Sequence, residues 1–214
     1  MRLLLLCVAL AMTSTVTASP KHTCPTGAEL ADLARRAFPD ARFTAGDLVC
    51  HAVRASVPTW LLTFADDQCG LAGAGASAIV QDGVVTWHEP TDVPGTPCRG
   101  GTWQPVDLDG DGTDELLHIE EYQGHEGSGH RTLAVVSIAN GEPAERSELV
   151  LASRGSSSGD HQYTWNCSAS YRLVRGSRAS LRIEVVGHGG GPQERCHKAG
   201  HHVYAWMRRT LVEQ

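Results

Sequence analysis

The sequence has no internal hydrophobic run long enough to cross a membrane. Its most apolar stretch is residues 3–12, whereas a spanning helix needs about 20 apolar residues. One basic residue, Arg2, precedes this stretch, and small and polar residues follow it as far as Ala18. That pattern is typical of a secretory signal peptide. We therefore expect residues 1–18 to be removed and residues 19–214 to form a single domain that is secreted or periplasmic.

The sequence also lacks an excess of basic residues. It has 24 acidic and 18 basic residues, a formal charge of −6, which becomes −7 when Arg2 leaves with the signal peptide. Nucleic acids and anionic membranes attract basic surfaces, so this balance argues against both as the main partner. The remaining partner classes are a protein or a glycan, whose identity the sequence does not give, and we expect a monomer.

No cysteine pair has the C-x-x-C spacing of a zinc ribbon or a redox motif. An even number of cysteines in an exported chain instead predicts disulfides. The mature chain has six, Cys24, Cys50, Cys69, Cys98, Cys167 and Cys196.

The pairing can be argued from predicted hairpins, although fifteen pairings of six cysteines are possible. A turn at Asp82-Gly83 brings Cys69 close to Cys98 at the open end of its hairpin. A turn at residues 175–178 makes Val174 face Ala179 and Cys167 face Val186, which lies just before the loop that contains Cys196. Elimination leaves Cys24 with Cys50, which would tie the N-terminal helix to the first strand.

Only one segment has the periodicity of a helix. Thr26 and Glu29 form a capping-box pattern, apolar residues then recur on one helical face from Leu30 to Phe38, and Pro39 ends the segment. Short strands with turn residues between them follow, without strand–helix alternation or internal repeats. The predicted fold class is mainly β (α+β): antiparallel strands and hairpins in a disulfide-linked sheet or sandwich, with one N-terminal helix. The predicted strand regions are 48–55, 59–65, 77–88, 115–122, 132–151, 163–186 and 201–207.

The stretch VDLDGDGTDELL, residues 106–117, is the most acidic part of the chain. Carboxylates at alternate positions followed by a glycine can converge on one hard cation when the chain turns sharply. Ca²⁺ accepts six to eight oxygen ligands in flexible geometry, whereas Mg²⁺ keeps several waters. The predicted cofactor is therefore Ca²⁺. The candidate ligands are the carboxylates of Asp107, Asp109, Asp111 and Glu115 and the backbone carbonyl of Thr113.

This loop resembles the D-x-D-G-D-G calcium loops of FG-GAP and VCBS-type repeats over residues 107–117. A helical EF-hand would need Glu at its twelfth position, where this chain has His118. The resemblance implies a strand–loop–strand calcium site, but only one copy is present, so it does not imply a propeller. Glu115 stands where Asp is commoner in the family, and Asp114 is an alternative ligand. The competing interpretation is a solvated acidic turn without a metal.

Histidines are concentrated in three glycine-rich segments, residues 124–131, 155–161 and 187–202. If the strands from Glu115 onward form a meander, these segments lie together at the end opposite the acidic loop. Loops gathered at one end of a sheet are common binding sites. Neutral histidines can also bind zinc or copper; the candidates here are His125, His130, His188, His197 and His201.

Three classes of function are consistent with these features. The first is an exported binding or structural module stabilised by calcium and disulfides. The second is a metal-dependent hydrolase that uses the histidine-rich segments, although GSSSG at 155–159 lacks the following helix of a nucleophile elbow and no catalytic residue is identified. The third is a carbohydrate-binding module that uses exposed tryptophans rather than burying them in the core. The tryptophans are Trp60, Trp87, Trp103, Trp165 and Trp206.

Overall fold

One helix and two antiparallel sheets make up the described part of the chain. The computed structural model describes residues 22–39, 48–65, 74–88, 98–123, 128–157, 163–176, 180–188 and 196–214. The proposed signal peptide lies outside these residues. The predicted class, mainly β and antiparallel with one helix, is confirmed.

The helix α1 spans Gly27–Ala37 and ends just before Pro39, as its apolar periodicity predicts. Thr26 is the N-cap residue, as the capping-box pattern predicts, but its side chain makes no capping hydrogen bond. Leu33 and Phe38 are buried on the face that packs against the first sheet. Burying this face stabilises a helix that is too short to be stable alone.

The first sheet is a four-stranded meander. Asp82 and Gly83 join its last two strands, as predicted, with φ of 49° and 75°, which are values of a type I′ turn. A disulfide joins Cys24, ahead of α1, to Cys50 in the first strand, and this confirms the pairing reached by elimination. The strands are β1 (Leu48–Val53), β2 (Thr59–Ala65), β3 (Ala74–Gln81) and β4 (Val84–His88).

The second sheet is an eight-stranded meander whose strands follow chain order without a crossover. Its strands are β5 (Cys98–Val106), β6 (Glu115–Gln123), β7 (Gly129–Ala139), β8 (Glu142–Ser157), β9 (Tyr163–Arg175), β10 (Leu181–His188), β11 (Gly200–Met207) and β12 (Thr210–Glu213). The sheet curls, because its last strand returns to β8: Leu211 donates its N–H to Ser147 Oγ at 3.2 Å, and Thr210 Oγ1 lies 3.1 Å from the same oxygen.

The core has three parts that follow this layering. One part lies between α1 and the first sheet and is centred on Phe38 and Leu62. A second lies between the two sheets, where Leu61 and Ile79 meet Leu116. The third lies inside the curled second sheet and includes the residues Leu108, Leu117, Leu133, Val185 and Trp206.

The structure differs from the predicted strands in two respects. Strands β5 and β12 lie outside the predicted strand regions. In the β9–β10 hairpin, Val174 pairs with Arg182 instead of Ala179, because a longer connection, closed by a Gly176 N–H to Ser180 O bond of 2.9 Å, replaces the tight turn.

The disulfide that the hairpin argument placed at this sheet is nevertheless formed. Cys167 of β9 bonds to Cys196 ahead of β11, and the two Cα atoms lie 5.9 Å apart. Cys69 lies outside the described residues, so the predicted Cys69–Cys98 bond does too.

Candidate metal centre

The acidic loop connects β5 to β6 and is anchored by an apolar residue at its second position. Leu108 is 1% exposed and belongs to the core inside the second sheet, and its carbonyl accepts the N–H of Leu181 at 2.8 Å. With Leu108 directed inward, its acidic neighbours Asp107 and Asp109 both lie on the outer side of the chain. The loop is thus held by the core rather than by its own turn alone.

Two glycines let the chain fold back around the acidic side chains. Gly110 and Gly112 have φ of 80° and 90°, values that residues other than glycine seldom adopt. Their N–H groups both donate to Asp107, to Oδ1 at 2.7 Å and to Oδ2 at 3.0 Å. The D-G-D-G pattern therefore encodes a turn wrapped around the first aspartate.

Three of the five predicted ligands are brought together. One carboxylate oxygen from each of Asp107, Asp109 and Glu115 lies within 4.8 Å of the other two. Asp111 is outside this group, exposed, and accepts the N–H of Thr113 at 2.7 Å.

The electrostatics of this group favour a bound cation. Burial, followed by the neighbouring carboxylates, raises the pKa of Glu115 to about 8, although the Leu108 N–H donates to its Oε2 at 2.9 Å and opposes the rise. Burial and repulsion by Asp111 and Asp107 likewise raise the pKa of Asp109. Three oxygen donors held close together against their own repulsion are the ligand chemistry of a hard divalent cation, and binding one would displace the proton of Glu115.

The alternative ligand Asp114 has a different role. It is 4% exposed and forms two bonds with the backbone of Arg54, which follows β1. Its Oδ2 accepts the Arg54 N–H at 2.7 Å, and its own N–H donates to the Arg54 carbonyl at 2.9 Å. The Arg54 guanidinium also lies 3.4 Å from Asp107 Oδ2. Asp114 therefore ties the acidic loop to the first sheet through Arg54, a partner that the loop motif does not indicate.

The opposite end of the second sheet contains the histidine-rich segments. Because the meander is confirmed, the pairs Gln123–Gly129, Ser157–Tyr163 and Gly187–Gly200 stand at the end away from the acidic loop. His125, one of the candidate metal ligands at this end, lies outside the described residues.

The histidines of β11 have partners other than a metal. His201 Nε2 pairs with Glu184, whose pKa is lowered to about 2 by Arg172 and then by His201. His202 Nδ1 lies 2.6 Å from Glu213 Oε1, and this carboxylate raises the pKa of His202.

His197 also makes ordinary hydrogen bonds. Its Nε2 lies 2.9 Å from the Tyr204 hydroxyl and its Nδ1 lies 2.9 Å from the carbonyl of Lys198. Within the part of the chain that the structure describes, the only group of three or more metal-ligating side chains is Asp107, Asp109 and Glu115.

The tryptophans do not form an exposed platform in the described residues. Trp103 and Trp206 are 8% and 4% exposed. Trp60 and Trp87 are partly buried and pack against the two core regions that border the first sheet. The side chain of Trp165 lies outside the description.

Comparison with family models, with curated proteins and with solved structures finds no match to this chain. The one described helix is also too short to cross a membrane. The site itself is therefore the basis for inferring a function.

Proposed function

We propose that this chain is an exported binding module whose fold is stabilised by Ca²⁺ at Asp107, Asp109 and Glu115. The supporting observation is the convergence of these three carboxylates within 4.8 Å around a loop whose second residue is anchored in the core. The two described disulfides support export, since such bonds persist in oxidising compartments. The resemblance of residues 107–117 to FG-GAP and VCBS-type loops supports Ca²⁺ as the cation.

The cation would stabilise the fold by connecting its parts. The loop contacts β10 through Leu108 and the first sheet through Asp114. Neutralising the repelling carboxylates therefore stabilises contacts to both sheets. Ligand binding would be at the opposite end of the second sheet, about 20 Å away along six residues of β6, so that the cation has a structural role.

The test is thermal unfolding of the mature protein with calcium or with chelator. Extracellular calcium modules bind with Kd of about 10⁻⁴–10⁻³ M. At a hundredfold excess over Kd, calcium adds about 2.7 kcal/mol, which corresponds to a rise in Tm of about 5–10 °C for a chain of this size. The same concentration of Mg²⁺ should give a smaller rise.

Asp109→Ala should remove most of the calcium-dependent rise, because it deletes one of the three converging carboxylates. Glu142→Gln, an exposed acid at the same end of the sheet, is the matched control and should keep the full response. A Tm that is the same in calcium and in chelator would overturn the proposal.

A further inference from the structure

A pocket of about 270 Å³ opens between the ends of β6, β7, β8 and β9. It lies at the end of the second sheet away from the acidic loop. Its polar lining side chains include Glu121, His130, Arg131, Arg154 and Asn166. None of them belongs to the candidate metal centre.

An irregularity in β8 and two small residues account for this pocket. The pairing of β7 with β8 shifts between Arg131 and Thr132, so that Leu151 is an extra residue on β8. Such a bulge bends its strand and redirects the side chains beyond it. Just past the bulge, Arg131 pairs with Ala152 and Arg154 pairs with Gly129. Each arginine therefore stands opposite a residue with little or no side chain, and space is left between the strands.

One of the two arginines in the pocket is paired with a carboxylate and the other is not. Arg131 Nε is 3.1 Å from Glu121 Oε1, so these two charges compensate each other. Arg154 is exposed and makes no ion pair or side-chain hydrogen bond with any group in the described ranges. Asn166 faces Arg154 directly across the β8–β9 ladder. The pocket thus has one uncompensated guanidinium with an amide beside it.

The rest of the lining can accept and donate hydrogen bonds. The Glu121 carboxylate has acceptor capacity beyond its single contact with Arg131. A volume slightly below the usual range for drug-sized ligands suits a ligand the size of one sugar ring.

We propose that this pocket binds a small hydroxylated carboxylate, a sugar acid of the uronate class. Arg154 and Asn166 bind the carboxylate, and Glu121 accepts bonds from hydroxyl groups. The assignment rests on the proposed function, for which it names the ligand class.

Two other small-ligand classes fit less well. A phosphate dianion carries two negative charges, whereas one guanidinium among the described lining residues is uncompensated. An amino acid would place its ammonium group against Glu121, whose charge Arg131 already neutralises. A hydroxyl group complements that carboxylate without adding charge.

The experiment titrates sodium glucuronate into the calcium-loaded mature protein and follows binding by calorimetry. Glucose, inorganic phosphate and glycine serve as comparison probes. We expect saturable binding of glucuronate in the millimolar range or tighter, and at least tenfold weaker binding of each comparison probe. Equal binding of glucose, phosphate or glycine, or no saturable binding of glucuronate, would overturn the proposal.

Two arginine variants locate the binding. Arg154→Gln should weaken glucuronate binding at least tenfold, since a charge-assisted bond to the carboxylate is lost. Arg175→Gln, an exposed arginine nine positions from Asn166 on the same β9 strand, should bind like the parent protein. Unchanged binding by Arg154→Gln would show that the ligand lies elsewhere.

Thermal unfolding of each variant separates a folding defect from a binding defect. The same measurement with and without calcium separates the two proposals. If calcium raises Tm and glucuronate does not bind, the ligand assignment is wrong and the cation site stands. If glucuronate binds and calcium has no effect on Tm, the cation site is wrong and the ligand assignment stands.

Discussion

At the scale of single residues, His118 is a histidine that the fold holds neutral. Its ring is 5% exposed and stacks on Trp103 with centroids 3.8 Å apart, and its Nδ1 has no hydrogen-bond partner among the described residues. Burial, and then the positive charge of Arg146, lowers its pKa from 6.5 to about 3. Between these two pH values the unfolded chain binds more protons here than the folded chain does. Stability is therefore full above pH 6.5 and falls as the pH decreases.

We predict that lowering the pH from about 7 to about 5 reduces the unfolding free energy by about 2 kcal/mol, because His118 becomes protonated only in the unfolded chain. His118→Leu keeps a similar volume and removes the titrating ring. Its unfolding free energy should therefore decrease by about 2 kcal/mol less than that of the parent protein over the same pH range. Denaturant unfolding at both pH values, in saturating calcium, measures the difference.

The control is His188→Gln, which removes an exposed histidine at the end of β10. It should keep the pH dependence of the parent protein. Parallel pH profiles for His118→Leu and the parent would contradict the prediction.

The residues of the acidic loop were predictable because their signal is local. Asp107, Asp109 and Glu115 fall within nine positions, so their spacing and the glycines between them indicate convergence, although the same pattern also included Asp111, which lies outside the group. The tie between Asp114 and Arg54 spans 60 positions, and no spacing rule reaches that far. The function of His118 was equally hidden, because burial of a histidine depends on which strands lie over it.

At the scale of elements, the link between the segment after β1 and the acidic loop gives a prediction about cation affinity. The Arg54 guanidinium lies 3.4 Å from Asp107 Oδ2, so it repels a cation bound there. Arg54→Gln keeps the two backbone bonds to Asp114 and removes that charge. We expect calcium affinity to rise about three- to tenfold, a modest effect because the pair is partly exposed and screened. Calorimetric titration with calcium measures it.

Arg36→Gln provides the comparison, since Arg36 is a half-exposed arginine on α1. It should leave calcium affinity unchanged. Weaker calcium binding by Arg54→Gln would mean that Arg54 organises the loop more than it repels the cation.

Strand β5 illustrates why the set of strands was predicted incompletely. Gly100, Gly101 and Pro105 all have low strand propensity, so this segment resembled a loop. Proline is tolerated because β5 is an edge strand. Gly101 has a packing role: a Cβ atom there would lie 2.3 Å from His118 Nε2. The edge position of β5 and its packing against His118 thus account for the proline and for Gly101 in this strand.

At the scale of the whole molecule, the described disulfides close long loops. Cys24–Cys50 closes 26 positions and Cys167–Cys196 closes 29. Loop-closure entropy predicts that the double variant Cys167→Ser/Cys196→Ser loses about 3–4 kcal/mol of unfolding free energy. Denaturant unfolding of the variant and the parent measures the loss.

Thiol titration of the denatured, unreduced mature protein is the accompanying control. It should find no free thiol in either protein, because Cys69 and Cys98 are expected to pair as well. Two free thiols in the parent would contradict that pairing.

The meander was predictable because successive strands are joined by segments rich in glycine and other turn residues. The division into two sheets, with the helix outside the first and a separate core inside the second, was not. That division depends on which face of each strand is covered. In β6 both faces are covered, as Leu116 and Leu117 lie in different core regions, and alternation of polar and apolar residues no longer identifies the faces.

The two edge strands of the eight-stranded sheet, β5 and β12, bear on self-association at high protein concentration. An open edge strand is a template on which the strand of another molecule can add, and repeated addition leads to fibres. In β12 the N–H of Leu211 is already engaged by Ser147 of the same chain, and in β5 Pro105 has no N–H to offer. Each edge therefore lacks part of the hydrogen-bonding row on which fibre growth depends.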